Sequence, residues 1–335
     1  MEKQIESLRR IYTDGRHNAF PSLCRFHGQL FLSFRASTGH AVNDGVIKLL
    51  RSRDEGNTWE EIPTPFNDRG YWDGWLVVFK DKLFLFSGSL PDNLELPVWC
   101  YLNRMHYAFS EDGVHWSRVG EICPYPSVRF WRPIVWNNRL YVCDYRTSLR
   151  IDRPALTEVE LLSSEDGRTW KYISSLNTGT RQNETAIIVR NGVMQAFLRN
   201  EAPDSALVIR SSTGAFTEWE DEIDTGISLL GPMVRDINGR RFLFGRWRGA
   251  DMPVPPIDRS TVRLCAYTVD PADSHLELYA EFPSAFDCSY ADAVPLDDQR
   301  MLVTYYSQHE HACKPDFKDM HGYSDIFLAV VRTDN

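Results

Sequence analysis

The first residues of this chain that could do chemistry are carboxylates, which transfer protons when their surroundings tune them. Glu184 opens the apolar run "ETAIIV", where an unpaired carboxylate is costly, so it is either functional or held in an ion pair. Asp44, in "NDG", is either a general acid on a Gly-flanked loop or part of an Asp-Gly turn. Asp54, Asp112 and Asp166 share one local pattern, and a single site does not need three copies of one catalytic residue. We interpret these three as structural.

A second candidate group is rich in histidine and cysteine. His309, His311 and Cys313 lie in "HEHAC", and His321 follows. These residue types bind zinc, but this spacing at a strand end matches no recognised ligand arrangement. We therefore predict no metal and no cofactor.

The pattern around the three structural aspartates is an internal repeat. "SRDEGNTW" (52–59), "SEDGVHW" (110–116) and "SEDGRTW" (164–170) recur at near-constant spacing, and "SSTGAFTEW" (211–219) is a degraded fourth copy. We call this pattern the Ser/Asp box. Its Ser and Asp side chains can bond local backbone groups, its Gly permits a turn with positive φ, and its Trp packs beneath. Such regular self-similarity indicates a repeat architecture.

Between the boxes, an apolar strand, a short polar turn and another apolar strand recur six times. The turns are "HGQ", "KDK", "NNR", "RNG", "INGR" and "LDDQ", and a third strand follows each hairpin. Six antiparallel units of about 50 residues predict an all-β fold, a six-bladed β-propeller with four-stranded blades. "QIESLRRIY" supplies the outer strand of the last blade and closes the ring, in one domain over 1–335. A pair of β-sandwiches is the alternative, but it does not explain the regular boxes.

Composition excludes several classes of function. The net charge of -9 and the lack of a Lys/Arg run argue against nucleic-acid binding. No apolar run reaches membrane-spanning length, and "MEKQIESLRRIYTDG" lacks the apolar core of a signal peptide, so we expect a cytoplasmic protein. The seven cysteines show no CxxC pairing and predict buried free thiols. Aromatic residues make up 13% of the chain, which suits β-packing and also surfaces that stack on sugars.

In a propeller, the inner strand of each blade begins at the mouth of the central channel, where ligands bind. This position nominates His17, Asn18, Asp73, Trp131, Arg132, His309 and Glu310 as site residues. Trp131, together with Trp72, either stacks on a sugar face or only packs in the core.

The Ser/Asp box resembles the Asp-box (BNR) repeat of the sialidase superfamily, whose members are six-bladed propellers. The resemblance covers nearly the whole chain and extends to the inner strands. In "FLSFRASTGHAVNDG", Arg35 and Asp44 match a family arginine and the acid/base aspartate. In "NETAIIVRNGVMQAFLRNE", Glu184 and Arg199 match a glutamate and an arginine that binds the substrate carboxylate.

Later in the chain, "FLFGRWRG" offers Arg246, or alternatively Arg248, as a further family arginine. "SYADAVPLDDQRMLVTYYSQHE" makes Tyr290 the match for the family's nucleophile. One departure is clear: the family's opening Arg-Ile-Pro is "AFP" here, so Ala19 stands in the first arginine position. The resemblance therefore implies a smaller arginine set than that of a true sialidase, in a divergent bacterial branch.

The chemistry implied by the resemblance is coherent. Tyrosine is a weak nucleophile at its ordinary pKa near 10, and Glu184 could accept the proton of Tyr290. Tyrosine nucleophiles are a known exception to the two-carboxylate rule for glycosidases. Asp44 could protonate the leaving oxygen, and Arg199 and Arg246 could bind a carboxylate through paired hydrogen bonds.

We therefore predict an exo-acting glycoside hydrolase that acts on a terminal, acidic sugar of an oligosaccharide, so that the partner is a carbohydrate. Two alternatives remain. One is a polysaccharide lyase in which His17 and Tyr290 abstract and return a proton. The other is a propeller that binds glycans without turnover.

Overall fold

The computed structural model describes residues 4–90, 103–122, 129–147, 157–179, 181–201, 205–247, 259–270 and 274–334. From the channel outward, blade one consists of β2 (His17–Phe26), β3 (Gln29–Ser37), β4 (Val46–Ser52) and β5 (Glu60–Ile62). Blade two consists of β6 (Tyr71–Phe79), β7 (Lys82–Ser89), β8 (Arg104–Ser110) and β9 (Gly120–Glu121). Blade three consists of β10 (Arg129–Trp136), β11 (Arg139–Thr147), β12 (Thr157–Ser164) and β13 (Lys171–Ser175). Blade four consists of β14 (Gln182–Arg190), β15 (Val193–Asn200), β16 (Val208–Thr213) and β17 (Ile223–Asp224). Blade five consists of β18 (Leu229–Ile237), β19 (Arg240–Trp247), β20 (Arg263–Val269) and β21 (Leu276–Phe282). Blade six consists of β22 (Cys288–Pro295), β23 (Arg300–Ser307), β24 (Asp325–Arg332) and β1 (Ile5–Tyr12).

Six antiparallel four-stranded sheets confirm the predicted all-β six-bladed propeller. Strand β1 pairs with β24, so the N-terminal strand completes the last blade as predicted. The described part of the chain adds two single-turn 3₁₀ helices, Arg259–Thr261 and His309–His311. No helix among the described residues has the length and apolarity needed to cross a membrane.

Every inner strand carries a β-bulge one to three residues after its start. There the pairing with the second strand skips two residues and then resumes. In five blades the first skipped residue has a left-handed φ: Phe20 (61°), Asp73 (42°), Arg132 (48°), Gly231 (62°) and Tyr290 (49°). In blade four the skipped pair is Asn183 and Glu184. A bulge turns its residues away from the regular alternation of side chains, and the bulges of blades four and six bring Glu184 and Tyr290 together.

The Ser/Asp boxes lie at the opposite end of the ring, between the third and fourth strands of their blades. In the first box, Ser52 accepts the N–H of Gly56 at 2.8 Å, and Asp54 accepts the N–H of Thr58 at 2.8 Å. Ser52 pairs with Leu30 beside the hairpin turn, far from the strand end where His17 pairs with Ser37. The box is a turn scaffold remote from the channel mouth.

Box glycines also join neighbouring blades. Gly113 has φ +81°, and a Cβ at this position would overlap the ring of Phe31 in the preceding blade. Gly167 meets Phe84 of its preceding blade in the same way. In the degraded fourth copy, a Cβ added at Gly214 would have no atom within 4 Å, and Phe216 fills the contact against Trp136 instead. The glycine therefore permits close approach of two blades as well as the turn.

Gly113→Ala is expected to lower the free energy of unfolding by about 2–4 kcal/mol, since both the left-handed backbone and the contact with Phe31 oppose a Cβ. Gly214→Ala is the matched control, because it has a φ of +66° but open space around the added methyl group. It should cost only about 1 kcal/mol. Urea denaturation of both variants measures the difference, and equal losses would contradict a role in blade packing.

The five cysteines in the described residues are free, as predicted. Cys143, Cys265 and Cys288 are buried. Cys313 is exposed, so the prediction of burial is wrong at that position, which lies on the long connection between β23 and β24.

Candidate active site

The six inner strands begin at one mouth of the channel, and two of their bulge residues meet there. The hydroxyl of Tyr290 donates a hydrogen bond of 2.6 Å to Oε1 of Glu184. Tyr290 lies in blade six and Glu184 in blade four. The intervening blade five has Gly231 in its bulge, where a Cβ would already lie 3.4 Å from the Tyr290 ring. The small residue between them allows the two side chains to reach each other.

Glu184 is held from its other side by a cation. Nη1 of Arg199, on β15, forms an ion pair with Oε2 of Glu184, and its Nη2 pairs with Glu201. Burial opposes the charge of Arg199, but the two carboxylates outweigh it and raise the pKa of the guanidinium. The Arg199 cation therefore keeps Glu184 in a charged, hydrogen-bonded setting next to Tyr290.

The phenol of Tyr290 is protonated in the resting protein. Burial, and after it the charge of Glu184, raise the pKa of Tyr290 well above 10. A free tyrosinate is therefore disfavoured, and the oxygen can act as a nucleophile only if its proton moves to Glu184 as a bond forms.

A second polar cluster surrounds Asp287, which directly precedes β22. Its Oδ2 accepts hydrogen bonds from Nε2 of His17 at 2.7 Å and Nδ1 of His40 at 2.6 Å. Its Oδ1 accepts from the hydroxyl of Tyr306 at 2.9 Å and from Nη1 of Arg246 at 3.1 Å. Burial opposes ionisation of Asp287, yet the contacts with His40 and His17 hold its pKa well below the ordinary value. Asp287 is an anion that orders four neighbouring side chains.

The same cluster has the composition of a metal site. Among the described residues, His17, His40 and Asp287 form the one group of three whose ligand atoms lie within 4.8 Å of one another. Two imidazoles and a carboxylate suit a divalent transition metal. Against this, the Arg246 cation already contacts the carboxylate, and direct hydrogen bonds satisfy the aspartate.

Phe20 joins the two clusters. Its ring lies 4.9 Å from that of Tyr290 and 5.1 Å from that of His40, measured between centroids. Asp73, in the bulge of blade two, is close enough for Glu184 to influence its charge. Burial raises the pKa of Asp73, with Glu184 adding to the effect and Arg129 opposing it. The mouth thus combines a Tyr–Glu pair, a His–Asp pair and a carboxyl group whose pKa is raised.

Solved structures of other proteins share this arrangement of blades. A protein of unknown function from Dyadobacter fermentans superimposes with a TM-score of 0.75 at 20% identity, over 98% of both chains. The Trypanosoma rangeli sialidase in complex with 2,3-difluorosialic acid, a covalent intermediate, gives 0.68 at 12% identity, over 98% of this chain and 57% of that one. The phage phi92 endosialidase gives 0.68 at 11% identity, over 98% and 69%.

The chain has a sialidase-like fold. No family model matches its sequence, and no curated protein does. It spans little more than half the length of the trypanosomal sialidase.

Within this sialidase-like fold, Arg35, predicted as a substrate-binding residue, lies under the loop between β3 and β4 instead of facing the mouth. Its guanidinium is buried and donates to the carbonyl oxygens of Tyr71, Gly39, His40 and Val42. Four of its five N–H groups therefore donate hydrogen bonds to backbone carbonyl oxygens. Arg35 fixes the loop between β3 and β4.

His17 and Asn18, also predicted as site residues, are not exposed at the mouth. Both residues are fully buried. His17 contacts Asp287 and orients it, so the structure places this histidine in a positioning role and not against a ligand. The amide nitrogen of Asn18 donates to Asp14 at 2.8 Å and so closes the turn before β2.

Trp131 and Arg132 pack below the mouth and do not offer a sugar-binding surface. The indole of Trp131 donates to the carbonyl of Pro232 at 2.8 Å and is almost fully buried. Arg132 lies over the Trp75 ring at 4.6 Å and close to Asp292 in the channel. Trp72 is buried beneath Arg35, which lies 4.1 Å from its ring centroid.

His309 and Glu310 lie on the outer side of blade six. The His309 ring packs on Phe327, and the Glu310 carboxylate pairs with Arg10 of β1 at 3.0 Å. Their prediction as site residues is wrong because a 3₁₀ turn directs the chain outward after β23.

The remaining candidates keep their positions at the mouth. Arg246 contacts Asp287, and Arg248 is outside the described residues. Asp44 lies on the loop after β3 and accepts the N–H of Thr38 at 3.1 Å. The sequence reasoning missed His40, Asp287, Tyr306 and Phe20. The signal for two of them was positional, since Asp287 directly precedes one inner strand and Phe20 lies near the start of another, where the other candidates were sought.

The free energy of unfolding is expected to fall as the pH is lowered from about 7 to about 4. Burial lowers the pKa of His17, so below about 6.5 the unfolded chain binds a proton that the folded chain refuses. Asp287 acts with the same sign at lower pH, since its depressed pKa gives stability that acid removes. Urea denaturation across this range measures the slope.

Two variants are matched. His17→Asn should reduce the dependence of the free energy of unfolding on pH at the higher end of this range. His27→Asn, at an exposed turn, should leave that dependence unchanged. A wild-type profile that stays flat between pH 7 and pH 5 would contradict the neutral state assigned to His17.

Proposed function

We propose that the protein is a retaining, exo-acting glycoside hydrolase that acts on a terminal acidic sugar. The observation that carries this proposal is the 2.6 Å hydrogen bond from Tyr290 to Glu184 at the channel mouth. A buried tyrosine that faces a carboxylate base is equipped to attack an anomeric carbon, and a phenol does not repel an anionic substrate.

The reaction balances in two steps. As the Tyr290 oxygen bonds to the anomeric carbon, its proton passes to Glu184 and the glycosidic oxygen leaves with a proton from an acid. Water then attacks the same carbon and gives a proton back to that acid, while the Tyr290 oxygen departs and recovers the proton from Glu184. The two displacements together retain the anomeric configuration.

Two arginines at the mouth support an acidic substrate. Arg199 and Arg246 each face a protein carboxylate in the free protein, so a sugar carboxylate would exchange with or add to these pairs. Ala19 occupies the family's first arginine position, and Arg35 is used on backbone. The smaller set of cations favours an acidic sugar other than sialic acid, such as a uronic acid.

The test is turnover of aryl glycosides of sialic acid and of several uronic acids, with the first-formed anomer read by NMR. Retention is expected, and a fluorinated analogue of the accepted sugar should label the peptide that contains Tyr290 in mass spectrometry. A fluorinated sugar has such a precedent: the solved complex of the trypanosomal sialidase with 2,3-difluorosialic acid is a covalent intermediate.

Two results would contradict the proposal. An unsaturated product with absorbance near about 230 nm would indicate a polysaccharide lyase, in which the histidine and tyrosine at the mouth exchange a proton with the sugar. Binding of acidic oligosaccharides without turnover of any glycoside would indicate a glycan-binding propeller.

A further inference from the structure

The loop between β3 and β4 (residues 38–45) is held rigidly over the mouth at His40. The His40 N–H donates to the carbonyl of Met320 at 2.7 Å, and the His40 carbonyl accepts from Nη1 of Arg35 at 3.0 Å. Arg35 also binds the carbonyls of Gly39 and Val42 on either side. A buried arginine that pins three carbonyl groups around one residue indicates that the position of this residue matters.

The His40 ring has one nitrogen committed and one available. Its Nδ1 contacts Oδ2 of Asp287 at 2.6 Å. The side chain of His40 is 20% exposed, whereas those of Asp287 and His17 are fully buried. Since Nδ1 faces the buried carboxylate, Nε2 is the nitrogen through which His40 can exchange a proton with a ligand.

His40 and Tyr290 contact the same aromatic ring. Phe20 lies edge-on to His40 and to Tyr290, at 5.1 Å and 4.9 Å between centroids. Asp44 belongs to the same loop, but its carboxylate accepts the N–H of Thr38 within that loop. Among the described contacts, His40 is therefore the loop residue that reaches the Tyr290 cluster.

The charged groups nearest His40 lie around Asp287 and on the backbone side of the loop. The Oδ2 atom of Asp287 contacts Nδ1 of His40. Two cations approach the other carboxylate oxygen of Asp287, Oδ1: Arg246 at 3.1 Å and Arg259 at 3.6 Å. Arg35 lies on the backbone side of the loop. His17 shares the same aspartate oxygen but is fully buried, so His40 is the member of this pair that a ligand can reach.

We propose that His40, positioned by Asp287, is the general acid/base of the glycosidase reaction in place of Asp44. This inference rests on the proposed function. The Nε2–H bond of His40 gives its proton to the glycosidic oxygen as that oxygen leaves and Tyr290 bonds to the anomeric carbon. In the second step Nε2 takes a proton from the attacking water, and His40 returns to its starting state.

The test compares leaving groups. With an alkyl glycoside of the accepted sugar, whose leaving group needs protonation, His40→Ala is expected to lose about 10²- to 10⁴-fold in kcat/KM. With a dinitrophenyl glycoside, whose leaving group departs without a proton, the loss in the first step should be less than about 10-fold. Added imidazole should restore part of the activity on the alkyl substrate.

Asp44→Asn is the competing variant and is expected to show the same small loss on both substrates. His40→Asn keeps a donor for Asp287 and removes the Nε2 proton, so it should behave as His40→Ala even if the alanine variant is poorly folded. Asp287→Asn should reproduce the leaving-group dependence more weakly, because it leaves Nε2 in place but removes the carboxylate that positions the ring.

A leaving-group-dependent loss in Asp44→Asn with none in the His40 variants would overturn the inference and leave the proposed function intact. Full activity of Tyr290→Phe on the dinitrophenyl substrate would instead overturn the function itself. A stoichiometric divalent ion in the purified protein, with activity lost on chelation and in His17→Asn alike, would also overturn the inference, since the imidazoles would then be ligands.

Discussion

Tyr290→Phe is expected to reduce kcat/KM by about 10⁴-fold or more on every accepted substrate, whatever the leaving group. The variant removes the oxygen that attacks the anomeric carbon and keeps the ring that packs against Phe20 and Trp131. Glu184 loses one donor but retains its ion pair with Arg199, so the fold should lose only about 1–3 kcal/mol. Steady-state kinetics and thermal unfolding separate the two effects.

Tyr306→Phe is the matched control. Tyr306 is also buried at the mouth, and its hydroxyl donates to Asp287 at 2.9 Å rather than to Glu184. It should lose much less activity than Tyr290→Phe, since Asp287 keeps its bonds to His17, His40 and Arg246. Equal losses in the two variants would mean that the Tyr290 hydroxyl has only a structural role.

Asp292→Ala is expected to give the largest loss of stability, about 3–5 kcal/mol. Asp292 is almost fully buried on β22, where its Oδ2 accepts the N–H of Leu23 at 3.0 Å and its Oδ1 accepts from Arg235 at 3.0 Å. Nη1 of Arg132 lies 3.3 Å from Oδ2. Removal of the carboxylate leaves the Arg132 cation in the channel without its counter-charge, which is the costly way to break a buried pair.

Urea denaturation measures this loss, and two variants control it. Asp297→Ala removes an exposed ion pair with Arg300 and should cost far less stability than Asp292→Ala. Arg132→Met in the Asp292→Ala background should recover part of the lost stability, because it removes the unpaired charge. If the double variant is less stable than Asp292→Ala, the loss in Asp292→Ala does not come from an unpaired Arg132 charge.

The fold was predictable because its signals are local and repeated. Box residues such as Ser52 and Asp54 accept hydrogen bonds from backbone N–H groups of their own turn, so a short segment of sequence is enough to predict their role. The ring closure could be inferred because the pattern of the last blade lacked one strand, which β1 supplies. Nothing in these inferences required knowledge of distant contacts.

The site was predictable only in part, for two physical reasons. His17 and Asp287 are 270 residues apart in sequence, and no local pattern shows that the histidine is behind a buried carboxylate. The bulges also interrupt the alternation of inward and outward side chains, so the orientation of Trp131 could not be read from period-two counting. Glu184 and Tyr290 escaped this difficulty because motif resemblance placed them without reference to alternation.

Strand β1 has a consequence for the order in which the protein is made. The last blade combines the beginning of the chain with its final three strands, and it carries Asp287 and Tyr290 at its inner edge. Blades one to five can form in sequence during synthesis, whereas the sixth must wait until β24 has left the ribosome and pairs with a strand made first. The Tyr290–Glu184 pair is therefore assembled in the closing event, and a fragment that ends before β24 lacks a complete sixth blade.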